Sequence, residues 1–173
     1  MPKSSPTIIT HASLETLSGK ARGVARLRAN LNVHPRLDDP IQRLFNAMEP
    51  GTYVRPHRHA RESGWELMMC MKGAFSILMF DDSGTLTQRV DLDSANGNLA
   101  VEIPPFTWHA VVSHRQDTVM FEVKPGPYTA LDDKDFAPWA PPECDGATER
   151  FRLWYAVARQ GETPPIWNPE FNA

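Results

Sequence analysis

The 173-residue chain holds only two cysteines, Cys70 and Cys144, too few to staple a small fold through disulfides. Reduced thiols and a cytoplasmic setting are therefore expected. No apolar run reaches the ~18 residues that a bilayer-spanning helix needs. The opening "MPKSSPTIITHAS" lacks the apolar centre of a secretory signal. The net charge is only −3, without the basic excess that draws a protein to nucleic acid or to an anionic membrane. No segment repeats, and none is of low complexity. Proline, by contrast, is abundant: sixteen prolines argue against long helices and for turns and strand edges. With 41% hydrophobic and 23% charged residues, the composition is that of an ordinary globular protein with one real core.

The segment "SLETLSGKARGVARLRANLN" predicts one short helix opening at Ser13, weakened by Gly19 and Gly23. "IQRLFNAM" fits a strand or a helix equally. From Gly51 onward, short apolar runs alternate with turn signals: "TYVRPHRH", "WELMMCMK", "AFSILMF", "LTQRVDL", "NLAVEI", "HAVVS" and "TVMFEVK". "FDDSGTL" predicts a hairpin turn. After Pro125 the chain is Pro-rich, until "GATERFRLWYAVARQ" predicts a helix with Phe151, Leu153, Trp154 and Val157 on one stripe. The expected class is all-β, an antiparallel barrel or sandwich. A single domain is expected over 1–173, with the barrel at about 41–126, an N-terminal extension at 1–40 and a C-terminal one at 127–173.

Alternate side chains of a strand share a face. That places Tyr53, Arg55, His57 and His59 together on "TYVRPHRH", and Glu66, Met68 and Cys70 together on "WELMMCMK", which reads as buried on both sides. A buried carboxylate needs a cation as partner. "HAVVSHRQDTVMFEVK" reads as a hairpin turning at Arg115 and Gln116. In that register His109 lies opposite Glu122 with Cβ atoms roughly 5 Å apart, so Glu122 would orient the histidine or carry a proton, with Lys124 on its face. His57, His59, Glu66 and His109 make a three-histidine, one-glutamate set suited to one divalent zinc, iron, manganese, nickel or copper ion. The alternative leaves His57 and His59 in a surface basic patch with Arg55, Arg58 and Arg61.

The run from Gly51 through His57-x-His59 and Glu66 to Gly73 resembles the first cupin motif, and "GNLAVEIPPFTWH" resembles the second, ending at His109. "NVHPRLDDPIQRLFNAMEPGTYVRPHRH", "WELMMCMKG", "EIPPFTWH" and "FEVKPGPYTALDDKDFAPWAPPE" resemble the WbuC-type cupin fold metalloproteins, over roughly residues 20–143. The resemblance implies a cupin double-stranded β-helix with one bound metal. It also implies an association with O-antigen and related polysaccharide gene clusters, where the family has no established reaction. Three departures stand out. Six residues separate His59 from Glu66, and the lengthened loop holds Glu62 as a second candidate ligand. Phe106 stands where the second motif carries glycine, and Ser113 where it carries asparagine.

Arg55, Lys124, Arg28 and His34 are the candidate substrate-binding residues, and Asn30 lies in the same N-terminal stretch. Together they favour a small anionic or sugar-type ligand. Glu122 and Tyr128, which follows a Gly-Pro turn at the expected mouth, are the candidate catalytic residues. The function expected first is isomerase- or epimerase-like Lewis-acid chemistry on a small polar substrate, a sugar or sugar nucleotide. An iron-dependent oxygenase and a non-catalytic cupin with a structural metal are the alternatives. Cys70 is expected in the core, and Trp154, Tyr155 and Trp167 in packing or subunit contacts. A homodimer is expected, with no nucleic-acid or membrane partner.

Overall fold

A computed structural model describes residues 5–128 and 135–168. Part of the family-like stretch after Tyr128 and the last five residues of "GETPPIWNPEFNA" lie outside the described residues. The chain runs α1 (His11–Arg22), β1 (Arg28–Asn32), β2 (Ile41–Met48), β3 (His57–Arg58), β4 (Glu66–Lys72), β5 (Ala74–Phe80), β6 (Leu86–Asp93), β7 (Ala100–Ile103), β8 (Trp108–Ser113), β9 (Thr118–Pro125), β10 (Asp135–Phe136) and α2 (Thr148–Val157). The strands form two antiparallel five-stranded sheets, ordered β1-β2-β9-β4-β7 and β10-β3-β8-β5-β6.

Three apolar clusters follow from strand alternation. Between the sheets, Met68, Cys70, Phe75, Ile77, Val111 and Met120 close one end of the barrel. Outside the first sheet, Phe45, Ala47 and Val119 pack under Leu14, Leu17 and Ala21 of α1. Outside the second, Leu78, Phe80, Trp108 and Ala110 pack under Phe151 and Tyr155 of α2. The helices thus cover the outer faces of the sheets, which is why every residue of β5 is buried. Burial of each such large side chain stabilises the fold by about 1.5–3 kcal/mol.

Several expectations are corrected. The N-terminal cap is Thr10, whose hydroxyl accepts from Ser13 N while Thr10 N donates to Ser13 Oγ, so Ser13 closes the capping box instead of starting the helix. Residues 28–32, expected to continue that helix, form an edge strand on β2. On α2 the buried stripe is Phe151 and Tyr155, while Leu153 and Val157 are exposed. Strand β4 is buried on one face, since Leu67 and Met69 are only half-buried and Met71 is exposed. The segment around His57 is strand for two residues only, and Tyr53 leaves the ligand face to pack on Tyr155, ring centroids 5.8 Å apart.

The expected β8–β9 hairpin does not form. β8 pairs with β3 and β5, while β9 crosses to the other sheet between β2 and β4. His109 therefore lies opposite His57 and Met79, and Glu122 opposite Leu44 and Met68. The two runs alternate correctly for adjacent strands, but both faces of each are apolar enough to pair elsewhere.

Candidate metal centre and its cavity

The polar end of the barrel begins one row above the apolar plug. Glu66 precedes Met68 on the inner face of β4, and His109 precedes Val111 on that of β8. β3 brings His57 beside His109, with ring centroids 4.4 Å apart. His59 follows on the same side of the chain, and its Nε2 lies 3.0 Å from Glu66 Oε1. His57, His59, Glu66 and His109 are all buried, and each offers one ligand atom within 4.8 Å of the others. Glu62 is exposed on the lengthened loop, away from this set.

The donor chemistry fits a metal ion. His57 Nδ1 lies 3.0 Å from Arg55 O, and His109 Nδ1 lies 2.9 Å from Thr107 O. A carbonyl only accepts, so each Nδ1 carries the hydrogen and each Nε2 is left as a lone-pair donor facing the cluster. His109 Nε2 approaches Glu66 Oε2 to 2.9 Å, yet the pair is not aligned as a hydrogen bond and neither atom has another hydrogen-bond partner among the described residues. Burial would raise the Glu66 carboxyl; when the facing imidazoles are protonated, His109 and His59 together with the charge of Lys124 outweigh it and lower the group well below the usual carboxylate range. A buried carboxylate among inward-facing imidazoles is a donor set that suits a metal ion.

Glu122 reaches the cluster through Lys124. Lys124 Nζ lies 3.5 Å from Glu66 Oε1 and 3.3 Å from Glu122 Oε1, and Asn46 Nδ2 donates to Glu122 Oε2 at 2.8 Å. The expected contact of Glu122 with His109 is replaced by this relay, because β9 lies in the opposite sheet from β8, and Thr107 O sits at the imidazole Nδ1 instead.

A cavity of about 440 Å³ adjoins His57. It brings together Arg28, His34, Arg55, Glu122, Lys124 and Tyr128, every substrate-binding and catalytic residue expected from the sequence. Their states differ. Arg28 is held by Glu143 and donates to Tyr53 O at 2.8 Å. Burial lowers its pKa first, with Glu143 opposing. His34 is buried, and its Nδ1 accepts from Arg43 N at 3.0 Å. Arg55 donates to Ala137 O at 3.1 Å and lies 5.2 Å over the Phe136 ring, and burial lowers its pKa. Tyr128 is partly exposed at the rim, its N–H donating to Leu37 O at 2.8 Å.

Sequence reasoning missed Phe136, Asn46, Asn32 and Glu143, which also line the cavity. Phe136 and Glu143 arrive from the irregular C-terminal stretch, through the β10–β3 pairing and the Arg28 ion pair, and carry no local signal. Asn46 does carry one: on β2, Gln42 and Asn46 alternate with Phe45 and Ala47, so the polar face must look into the barrel. Phe106 holds the left-handed conformation (φ 62°) that glycine would supply, with its N–H donating to His59 O at 3.1 Å. Ser113 Oγ reaches Met48 O at 2.9 Å.

A family profile described as a domain of unknown function, DUF6016, matches residues 9–92. No curated protein sequence matches the chain. Among solved structures, a mutant of salicylate 1,2-dioxygenase from Pseudoaminobacter salicylatoxidans, in complex with gentisate, is 13% identical, covers 73% of this chain and 36% of that one, and superposes with a TM-score of 0.53. A cupin superfamily protein from Desulfitobacterium hafniense is 16% identical over 57% of this chain and 76% of that one, with a TM-score of 0.45. KdgF from Halomonas sp. is 19% identical over 57% and 81%, with a TM-score of 0.44. The architecture is that of the cupin jelly roll: two antiparallel sheets with short helical extensions.

Proposed function

We propose that this chain is a metal-dependent cupin enzyme acting on a small anionic or sugar-type substrate. The observation that carries the reading is the buried His57, His59, Glu66 and His109 cluster opening beside a cavity that holds an arginine. A divalent transition metal in that cluster supplies Lewis-acid polarisation of a substrate carbonyl or hydroxyl. Arg55 positions the anionic group. Glu122, kept in place by Asn46 and Lys124, accepts or returns a proton, and Tyr128 stands at the rim as the second proton-carrying group. That pairing suits isomerisation or epimerisation. The likeness to WbuC-type cupins supports a place in surface polysaccharide synthesis. Two free cysteines support a cytoplasmic setting, and exposed Leu153 and Val157 on α2 support a homodimer.

A second reading is an iron-dependent oxygenase, supported by the salicylate dioxygenase fold match, a protein solved with gentisate. Reconstitution with cobalt(II) tests the catalytic reading. Weak visible bands that shift when oxalate is added mark open coordination positions. Intense tetrahedral bands indifferent to oxalate mark a closed, structural site and contradict it.

A further inference from the structure

The inner face of the first sheet sets out the cavity floor in rows. Leu67 pairs with Val123, so Glu66 stands across from Lys124, beside Gln42. Two rows on, past Leu44 and Glu122, Asn46 pairs with Asn30 of β1. From β4 to β1 the floor spans three interstrand steps, roughly 14 Å in all. Its β1 end carries neutral amides: Asn30 and Asn32 are exposed, with Asn30 Nδ2 donating to Asn32 Oδ1 at 2.9 Å.

Charge divides this floor. Lys124 is held by Glu66 and Glu122, and Arg26 and Arg28 by Glu143. Arg55 pairs with no carboxylate among the described residues, and its buried Nε has no partner there. It sits two residues before His57, and the Phe136 ring that it covers lies 6.3 Å from the His57 ring. The unsatisfied positive charge is therefore beside the metal cluster. The β1 end carries the asparagine amides, and its cation, Arg28, is already paired with Glu143.

We infer that the cavity takes a sugar acid, a polyhydroxylated monocarboxylic acid, with its carboxylate on Arg55 and its hydroxylated body along Asn46, Asn30 and Asn32; this rests on the metal-site reading above. Each amide both donates and accepts, as hydroxyls do. An aromatic body on the same floor would strip water from the amides and return no hydrogen bond. A sugar nucleotide would bring a second anionic group toward Glu143, where Arg26 and Arg28 are already paired with that carboxylate.

Calorimetric titration of the metal-reconstituted protein with D-glucuronate, D-glucose and benzoate tests this, with metal content measured on the same sample. Glucuronate is expected to bind roughly tenfold or more tightly than either other probe, the effect of one hydrogen bond to a charged group. Arg55→Gln should erase the advantage over glucose. The pair Asn30→Ala and Asn32→Ala, both exposed and safe for folding, should weaken glucuronate several-fold and leave benzoate unchanged. Benzoate matching glucuronate, silent asparagine variants, or no glucuronate binding at millimolar concentration overturns the inference and leaves the metal reading standing. A protein that takes up no metal overturns both.

Discussion

Replacing Lys124 by methionine removes one charge and keeps most of the apolar stem. Lys124 is only 6% exposed, and its ammonium lies 3.5 Å from one carboxylate and 3.3 Å from another. In Lys124→Met, Glu66 and Glu122 would face each other buried, with Asn46 still bound to Glu122 but no positive charge between them. Removing one partner of a buried ion pair costs about 3–5 kcal/mol. For a chain of this size that lowers the melting temperature by roughly 6–20 °C. Calorimetry on metal-free protein, supported by urea unfolding, reads the effect directly. A cycle with Glu122→Gln sharpens it. Once the lysine is gone, neutralising Glu122 should be less harmful, with a coupling of about 1 kcal/mol or more. Metal-loaded protein should lose less, because the ion compensates Glu66. A variant within about 1 kcal/mol of the parent, or a cycle that is simply additive, would refute the relay, since a buried charge between two carboxylates cannot be cheap to delete.

Two further outcomes follow from single residues. At Phe106 (φ 62°), glycine should be more stable than alanine by about 1 kcal/mol, the reverse of the usual order, because only glycine adopts that backbone without a steric penalty; equal urea midpoints for Phe106→Gly and Phe106→Ala would contradict it. The His114 pKa is lowered, first by burial and then by Arg89, with Asp91 opposing. The unfolded chain therefore binds more protons than the folded one just below about pH 6.5, and stability falls as the pH drops through that value and is flat above it on this group's account. His114→Asn should flatten the loss of stability between pH 7 and 5 relative to the parent, read by thermal melts across that range, and identical slopes would remove His114 from the acid limb.

The fold was legible where a residue's neighbours in sequence decide its state. Alternation and turn residues mark β4 to β6, and the His57-x-His59, Glu66 and His109 spacing marks the cluster the structure assembles. What failed was long-range choice. Nothing in "HAVVSHRQDTVMFEVK" tells β8 and β9 to join different sheets, because the local pattern suits a hairpin and only the partners β3, β5, β2 and β4 outbid it. Phe136 and Glu143 reach the cavity from a Pro-rich segment with no periodicity to read. Lys124 was placed correctly on the face of Glu122, yet its contact with Glu66 comes from β9 lying beside β4, which spacing alone does not reveal.

His57, His59, Glu66 and His109 are proposed to hold one metal ion. Metal content per chain, measured by plasma mass spectrometry on protein purified without a nickel column, tests this directly when read beside the double variant His57→Ala, His109→Ala. About one equivalent in the parent and none in the variant, with the variant still folded by circular dichroism, is the predicted result. A parent without metal after reconstitution, or a variant that retains it, would contradict the account.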